Sequence, residues 1–159
     1  MKIELLDFSI VAPGVLCLRL NDPDRRNALS EAMLAALSDA FDDATKNHEI
    51  RVVNLSSNGS VFSAGHDLKE MTSARQNMDG GRDYFHKILL QCSTVMQKII
   101  DCPKPVIAEV GGVATASGCQ LVASCDLAIA STVAQFCTPG VNIGLFCSTP
   151  MVALSRNLS

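Results

Sequence analysis

The chain has 159 residues, 48% of them hydrophobic and 18% charged, which is enough to bury one core and too little for two comfortable domains, so residues 1–159 read as a single domain. A formal net charge of -3 gives no electrostatic reason to expect nucleic acid or an anionic membrane as a partner, and no apolar run reaches membrane-spanning length. The seven cysteines are odd in number and contain no Cys-x-x-Cys pair, and the three histidines share no ligand spacing, so neither a disulfide framework nor a metal site is indicated. Glu4 and Asp7 stand where a presequence would be basic, which points to a cytoplasmic protein, with the mitochondrial matrix as the alternative.

Ile3 to Ile10 and Val15 to Leu20 read as strands of a hairpin turned by Ala12-Pro13-Gly14. Ser30 is placed to cap a helix whose apolar residues Met33, Leu34, Leu37, Phe41 and Ala44 recur at helical spacing up to about Asn47. Val52 to Leu55 is a short β-branched strand that leaves into Ser56-Ser57-Asn58-Gly59. Met71 to Gly81 lacks periodicity and reads as an exposed loop. From Arg82 to Asp101 an amphipathic helix sets Phe85, Ile88, Leu89, Cys92, Val95, Met96 and Ile99 on one face, and Pro103 and Pro105 stop it. Val106 to Ala108 follows as a buried strand, then a helix over Cys119 to Ser124, a strand over Leu127 to Ala130, and a helix opening near Ser148 or Thr149. Alternating strand and helix argues for an α/β layer with parallel strands.

Two turns carry candidate chemistry: Phe62-Ser63-Ala64-Gly65-His66-Asp67-Leu68-Lys69-Glu70, and Gly111 to Gln120. Each follows a strand-like run and holds a glycine, Gly65 or Gly118, that permits close backbone approach and leaves amide N–H groups pointing at a ligand. In reactions at a thioester, negative charge develops on the carbonyl oxygen. Two backbone N–H groups aimed there need no ionisation, and each contributes about 3 kcal/mol of transition-state stabilisation. The competing reading is a pair of ordinary strand-to-helix turns. Arg25, Arg26 and Lys69 are the candidate cations for an anionic ligand, against a bland role as solvated surface.

Phe62 to Glu70 resembles the Phe-x-x-Gly-x-Asp-Leu-Lys-Glu signature of the enoyl-CoA hydratase/isomerase, or crotonase, family. A second signature is matched by Pro103 to Ala108, Gly112, Ala116-Ser117-Gly118-Cys119-Gln120-Leu121 and Cys125-Asp126-Leu127. Asp22-Pro23, Arg26-Asn27-Ala28-Leu29 and Phe136-x-Thr138-Pro139 are also family-like. The resemblance implies an α/β crotonase-like spiral of ββα units that binds an acyl-CoA, with coenzyme A as part of the substrate and no separate cofactor. It implies a thioester oxygen held between the backbone N–H groups of His66 and Ser117. Arg26, Ala28, Ala64, His66, Asp67, Leu68, Lys69 and Ser117 are then expected around the acyl-CoA, and the full-length protein is expected to form a homotrimer or hexamer. Because family domains run on into further helices, the chain is expected to be incomplete at its C-terminus, with apolar surface exposed around Met151 to Leu158.

The family's hydratases use two glutamates, and neither is found here. Gln120 holds the first position, where an amide can orient water but cannot act as a carboxylate base. Gly140, directly after the proline of the Thr-Pro element, holds the second and has no side chain. Tyr84, His86 and the ring of His66 are the substitute bases to consider, while Asp67 and Glu70 fit turn-fixing and capping roles better. The reading is therefore an acyl-CoA-binding lyase or isomerase relative with weak or altered activity, or else a non-catalytic acyl-CoA-binding or regulatory protein. A Clp-like serine hydrolase ranks last: a serine nucleophile needs a base within hydrogen-bond reach, and Ser117 occupies the family's donor-backbone position.

Overall fold

A computed structural model of the chain describes residues 4–158. Strands β1 (Leu6–Ala12) and β2 (Val15–Leu20) form the antiparallel hairpin turned by Pro13-Gly14; of the predicted first strand, Ile3 lies outside the described residues. Helix α1 (Glu31–Lys46) starts where Ser30 Oγ accepts a hydrogen bond from the Met33 N–H at 3.1 Å, and it buries the predicted apolar face together with Ala40. Its N-cap satisfies one of the donors that a helix start leaves without a partner.

From here the chain repeats one pattern, two strands followed by helix. Strands β3 (Val52–Ser57) and β4 (Val61–Ser63) precede α2 (Leu68–Ala74) and α3 (Arg82–Ile100). Strands β5 (Val106–Val110) and β6 (Val113–Thr115) precede α4 (Ser117–Ala123). Strands β7 (Leu127–Ala130) and β8 (Gln135–Cys137) precede a 3-10 turn over Pro139–Ile143 and then α5 (Ser148–Asn157). The first strand of each unit joins a five-stranded sheet of order β1-β2-β3-β5-β7, and the second joins a three-stranded sheet of order β4-β6-β8. Apart from the hairpin, every pairing is parallel. This is the spiral of ββα units that the resemblance implies. Its core is built by Leu18, Leu20, Met33, Leu37, Phe41, Leu55, Phe62, Val95 and Ile99, all at most 1% exposed.

Several elements differ from the sequence reading. The loop expected from Met71 begins as α2, a helix that buries only Ala74 and so leaves no hydrophobic period to read. On α3, Ile88, Cys92, Val95, Met96 and Ile99 are buried as expected, but Leu89 is exposed. Helix α4 starts two residues early, at Ser117. The short strands β4, β6 and β8 carry too few residues for alternation to show. Strand β7 lies where it is expected yet is exposed along its whole length, because it forms the open edge of its sheet among the described residues. Apolar surface extends well beyond Met151 to Leu158: Leu127, Ile129, Val133, Phe136, Ile143 and Phe146 are exposed along with Val152 and Leu158, while Met151 and Leu154 are half-buried.

Asn27 holds the segment before α1 in place. It is fully buried in the left-handed region at φ 49, which asparagine tolerates better than most residues. Its side chain accepts from the Asp22 N–H and donates to the carbonyls of Asn58 and Val61, each at 2.8 Å, and its own carbonyl accepts from Ser63 Oγ at 2.8 Å. No polar atom of this asparagine is left dry and unpaired.

Helix α4 lies against β4 at Gly118. A Cβ at that position would strike the Ser63 carbonyl and approach Ser63 Cβ at 2.8 Å. Alanine is the better helix former by about 1 kcal/mol, but overpacking a rigid backbone contact costs about 2–3 kcal/mol. Gly118→Ala is therefore expected to lower stability by about 1–2 kcal/mol net in urea titration; an unchanged midpoint would show that α4 does not rest on Ser63.

Candidate functional site

Parallel strands bring their carboxyl ends to one edge, and β6 lies between β4 and β8. The turns that follow β4 and β6 are therefore neighbours, and the turn after β8 flanks the second of them. A Cβ built on Gly65, whose φ is 81, would lie 3.0 Å from Ser117 Oγ and 3.1 Å from both Ala116 Cβ and the Thr115 carbonyl oxygen. Only a residue without a side chain, free to take positive φ, lets the two turns meet this closely.

Both turns are fixed on their far sides. The Ala64 N–H donates to the Arg26 carbonyl at 3.0 Å, and the Leu29 N–H donates to the Gly65 carbonyl at 2.8 Å. The Ala116 N–H donates to the Cys137 carbonyl at 2.9 Å, which ties the second turn to β8. Ala116 has φ 52 and ψ -124, a conformation that costs a residue with a Cβ about 1–3 kcal/mol. Neither the His66 nor the Ser117 backbone N–H has an acceptor among the described residues.

The side chains of these two residues meet as well. His66 Nδ1 lies 2.9 Å from Ser117 Oγ. The hydroxyl donates when Nδ1 is bare, which places the ring proton on Nε2, an atom that is buried without a partner among the described residues. Burial pushes the His66 pKa below its ordinary 6.5, so the ring is neutral at pH 7. Nothing in the sequence marked this pair, because the two residues are brought together only by the pairing of β4 with β6.

Of the residues expected around the acyl-CoA, Arg26, Ala28, Ala64, His66, Asp67, Leu68 and Lys69 line one groove of about 360 Å³, joined by Asp24 and Arg25, while Ser117 is buried behind them and does not border it. Arg26 and Lys69 are exposed there, and Leu68 is 73% exposed at its rim. Arg25 is less available than the sequence suggested: it contacts Asp22 at 2.7 Å and Asp67 at 3.4 Å. Asp67 caps α2 by accepting from the Lys69 and Glu70 N–H groups, at 2.8 and 3.2 Å. Glu70 Oε2 accepts from the Glu31 N–H at 2.9 Å and from the Tyr84 hydroxyl at 3.0 Å, so this carboxylate joins the starts of α1 and α2 to α3.

These contacts remove two of the substitute bases. Burial first, and then its bond to Glu70, push the Tyr84 phenol above its ordinary 10, and a phenol already donating to a carboxylate is no base near neutral pH. His86 is exposed on α3 and does not border the groove. Gln120 is buried one helical turn beyond Ser117 and borders a separate cleft of about 330 Å³ between α3, α4 and α5, near Gln97, Asp126 and Arg156. Gly140 is packed rather than merely bare: a Cβ there would lie 2.6 Å from Cys147 Sγ and 2.8 Å from the Leu145 carbonyl oxygen, whose own N–H donates back to the Gly140 carbonyl.

The model of the enoyl-CoA hydratase/isomerase family matches residues 11–157. The human mitochondrial enoyl-CoA hydratase domain-containing protein 3 is 54% identical over 144 residues, which is 90% of this chain and 46% of the relative, so the chain spans about half the length of the curated relatives it matches. Among solved structures, an enoyl-CoA hydratase of Mycobacterium smegmatis superposes with a TM-score of 0.90 at 51% identity, over 98% of this chain and 59% of that one. The crystal structure of the human domain-containing protein 3 gives a TM-score of 0.86 at 46% identity, over 96% and 58%. With the crotonase-like spiral present and the family model matched over nearly its whole length, the chain belongs to the enoyl-CoA hydratase/isomerase family.

Proposed function

We propose that the chain binds an acyl-CoA, with the thioester oxygen between the N–H groups of His66 and Ser117, and that hydratase chemistry is weak or lost. The observation that carries this reading is the meeting of the two turns, which leaves two free backbone donors beside each other. Arg26 and Lys69 then serve the phosphates of the coenzyme, and Leu68 covers apolar atoms at the groove's rim. Donors fixed by the fold hold the developing oxyanion without reorganising, which is the larger part of such catalysis.

Carboxylate acid–base help for hydration is what the site lacks. An amide at Gln120 and the filled space at Gly140 supply neither the base for water nor the acid for the α-carbon, a loss of about 10²- to 10⁴-fold. An alternative with the same geometry is a binding or regulatory protein that turns nothing over, and the absent carboxylates favour it. The full-length protein is proposed to assemble as a trimer or hexamer. The exposed apolar edge from Leu127 to Phe146 supports burial against further structure. The cytoplasmic expectation gives way to the mitochondrial matrix, since the vertebrate relatives carry "mitochondrial" in their names.

Calorimetry is expected to show saturable binding of an acyl-CoA that weakens with rising salt, and the absence of binding would overturn the proposal. Hydration of crotonyl-CoA is expected to be at least about 10²-fold slower than in a relative with both glutamates; equal rates would show that Gln120 or another group replaces them.

The buried neutral ring of His66 also links stability to pH. Its pKa is depressed in the folded state, so its contribution is intact above about 6.5 and is lost as pH falls through 6.5 toward the lower native value. Between about pH 7.5 and 5.5 the urea midpoint of the unaltered chain should fall further than that of His66→Gln. Parallel pH curves would mean that the ring is not held neutral.

A further inference from the structure

We propose that Ser117 and His66 form a nucleophile–base pair that cleaves the bound acyl-CoA through an acyl-serine intermediate. This rests on the thioester cradle proposed above and adds an activity to it. The sequence ranked serine chemistry last for want of a base near Ser117, and the fold supplies that base: His66 Nδ1 stands 2.9 Å from Ser117 Oγ. A base at this distance can take the hydroxyl proton as the oxygen attacks.

Further features agree. Ser117, which is 4% exposed, follows β6 directly through Ala116, whose positive φ makes a strained, sharp strand-to-helix turn. The same serine carries both a free backbone N–H and the hydroxyl, so an oxygen held by the N–H brings the carbonyl carbon close to Oγ. Burial keeps His66 in the neutral form that a base requires. His66 also lines the groove assigned to the coenzyme, so the base borders the path of the thioester.

The steps balance without an added reactant other than water. Ser117 Oγ bonds to the thioester carbon as its proton passes to His66 Nδ1, and the oxyanion forms between the His66 and Ser117 N–H groups. Collapse breaks the C–S bond, the imidazolium protonates the departing sulfur, and CoA leaves as the thiol. Water then attacks the ester while Nδ1 takes its proton, and cleavage of the C–O bond returns that proton to Oγ and releases the carboxylic acid. No carboxylate contacts His66 Nε2 among the described residues, so the pair lacks a third member and turnover is slow.

The test uses the full chain with butyryl-, octanoyl- and palmitoyl-CoA, a colorimetric thiol reading for released CoA, and mass spectrometry for an acyl adduct. In parallel, calorimetry measures binding of a ketone analogue with CH₂ in place of the thioester sulfur. Expected are binding of the ketone, thiol release above the buffer rate, an acyl group on the peptide containing Ser117, and at least about a 10²-fold loss of release in both Ser117→Ala and His66→Gln. The adduct is read on the unaltered protein, so the result does not depend on either variant folding. Binding of the ketone with no adduct and no thiol release above buffer overturns the pair and leaves the cradle standing. Failure to bind the ketone overturns the cradle and this proposal together.

Discussion

The site depends on a steric constraint, the approach of two backbone turns to within van der Waals contact. Gly65 meets Thr115, Ala116 and Ser117, and Gly118 meets Ser63, so each turn leans on the other through a residue that has no Cβ. Glycine costs conformational entropy on folding, and here that cost is offset by a spacing no other residue permits. Since β4 and β6 are parallel neighbours, the sheet brings the turns together and the glycines set how close they come.

Around this contact the structural polar groups are paired, Asp67 within the wall of the groove and Asn27 and Glu70 outside its lining. Asn27 satisfies backbone groups of two separate segments, at Asp22 and at Asn58 and Val61, and Asp67 and Glu70 use their carboxylates to fix helix starts. Carboxylates committed in this way are not free to transfer protons to a substrate. Unpaired beside this contact, among the described residues, are the N–H groups of His66 and Ser117 and the Nε2 atom of His66. An arrangement that satisfies its structural polar groups and leaves a few adjacent ones open is what a binding site requires.

The departures from a two-glutamate hydratase form a consistent set. At Gln120, one of the two positions that the family resemblance assigns to glutamates, stands an amide, and at Gly140, the other, the backbone of Leu145 and the sulfur of Cys147 occupy the space of a side chain. Meanwhile His66 and Ser117 carry side chains that bond to each other.

Much of the architecture was legible in the sequence because its elements bury one face. The periodic residues of α1 and α3, the Ser30 cap and the Pro13-Gly14 turn are local signals, and local physics fixed them. Most of the motif residues share one groove, although Ser117 does not border it. Helix α2 was missed because it buries a single residue, and β4, β6 and β8 because three residues show no period. What the tertiary structure alone decided were the contacts between residues far apart in sequence. They include the bond of His66 to Ser117, the commitment of Tyr84 to Glu70 and of Arg25 to Asp22 and Asp67, and the filled space at Gly140. Composition and spacing describe each segment's own preferences. Which segments become neighbours follows from strand order and register, and those are properties of the whole sheet.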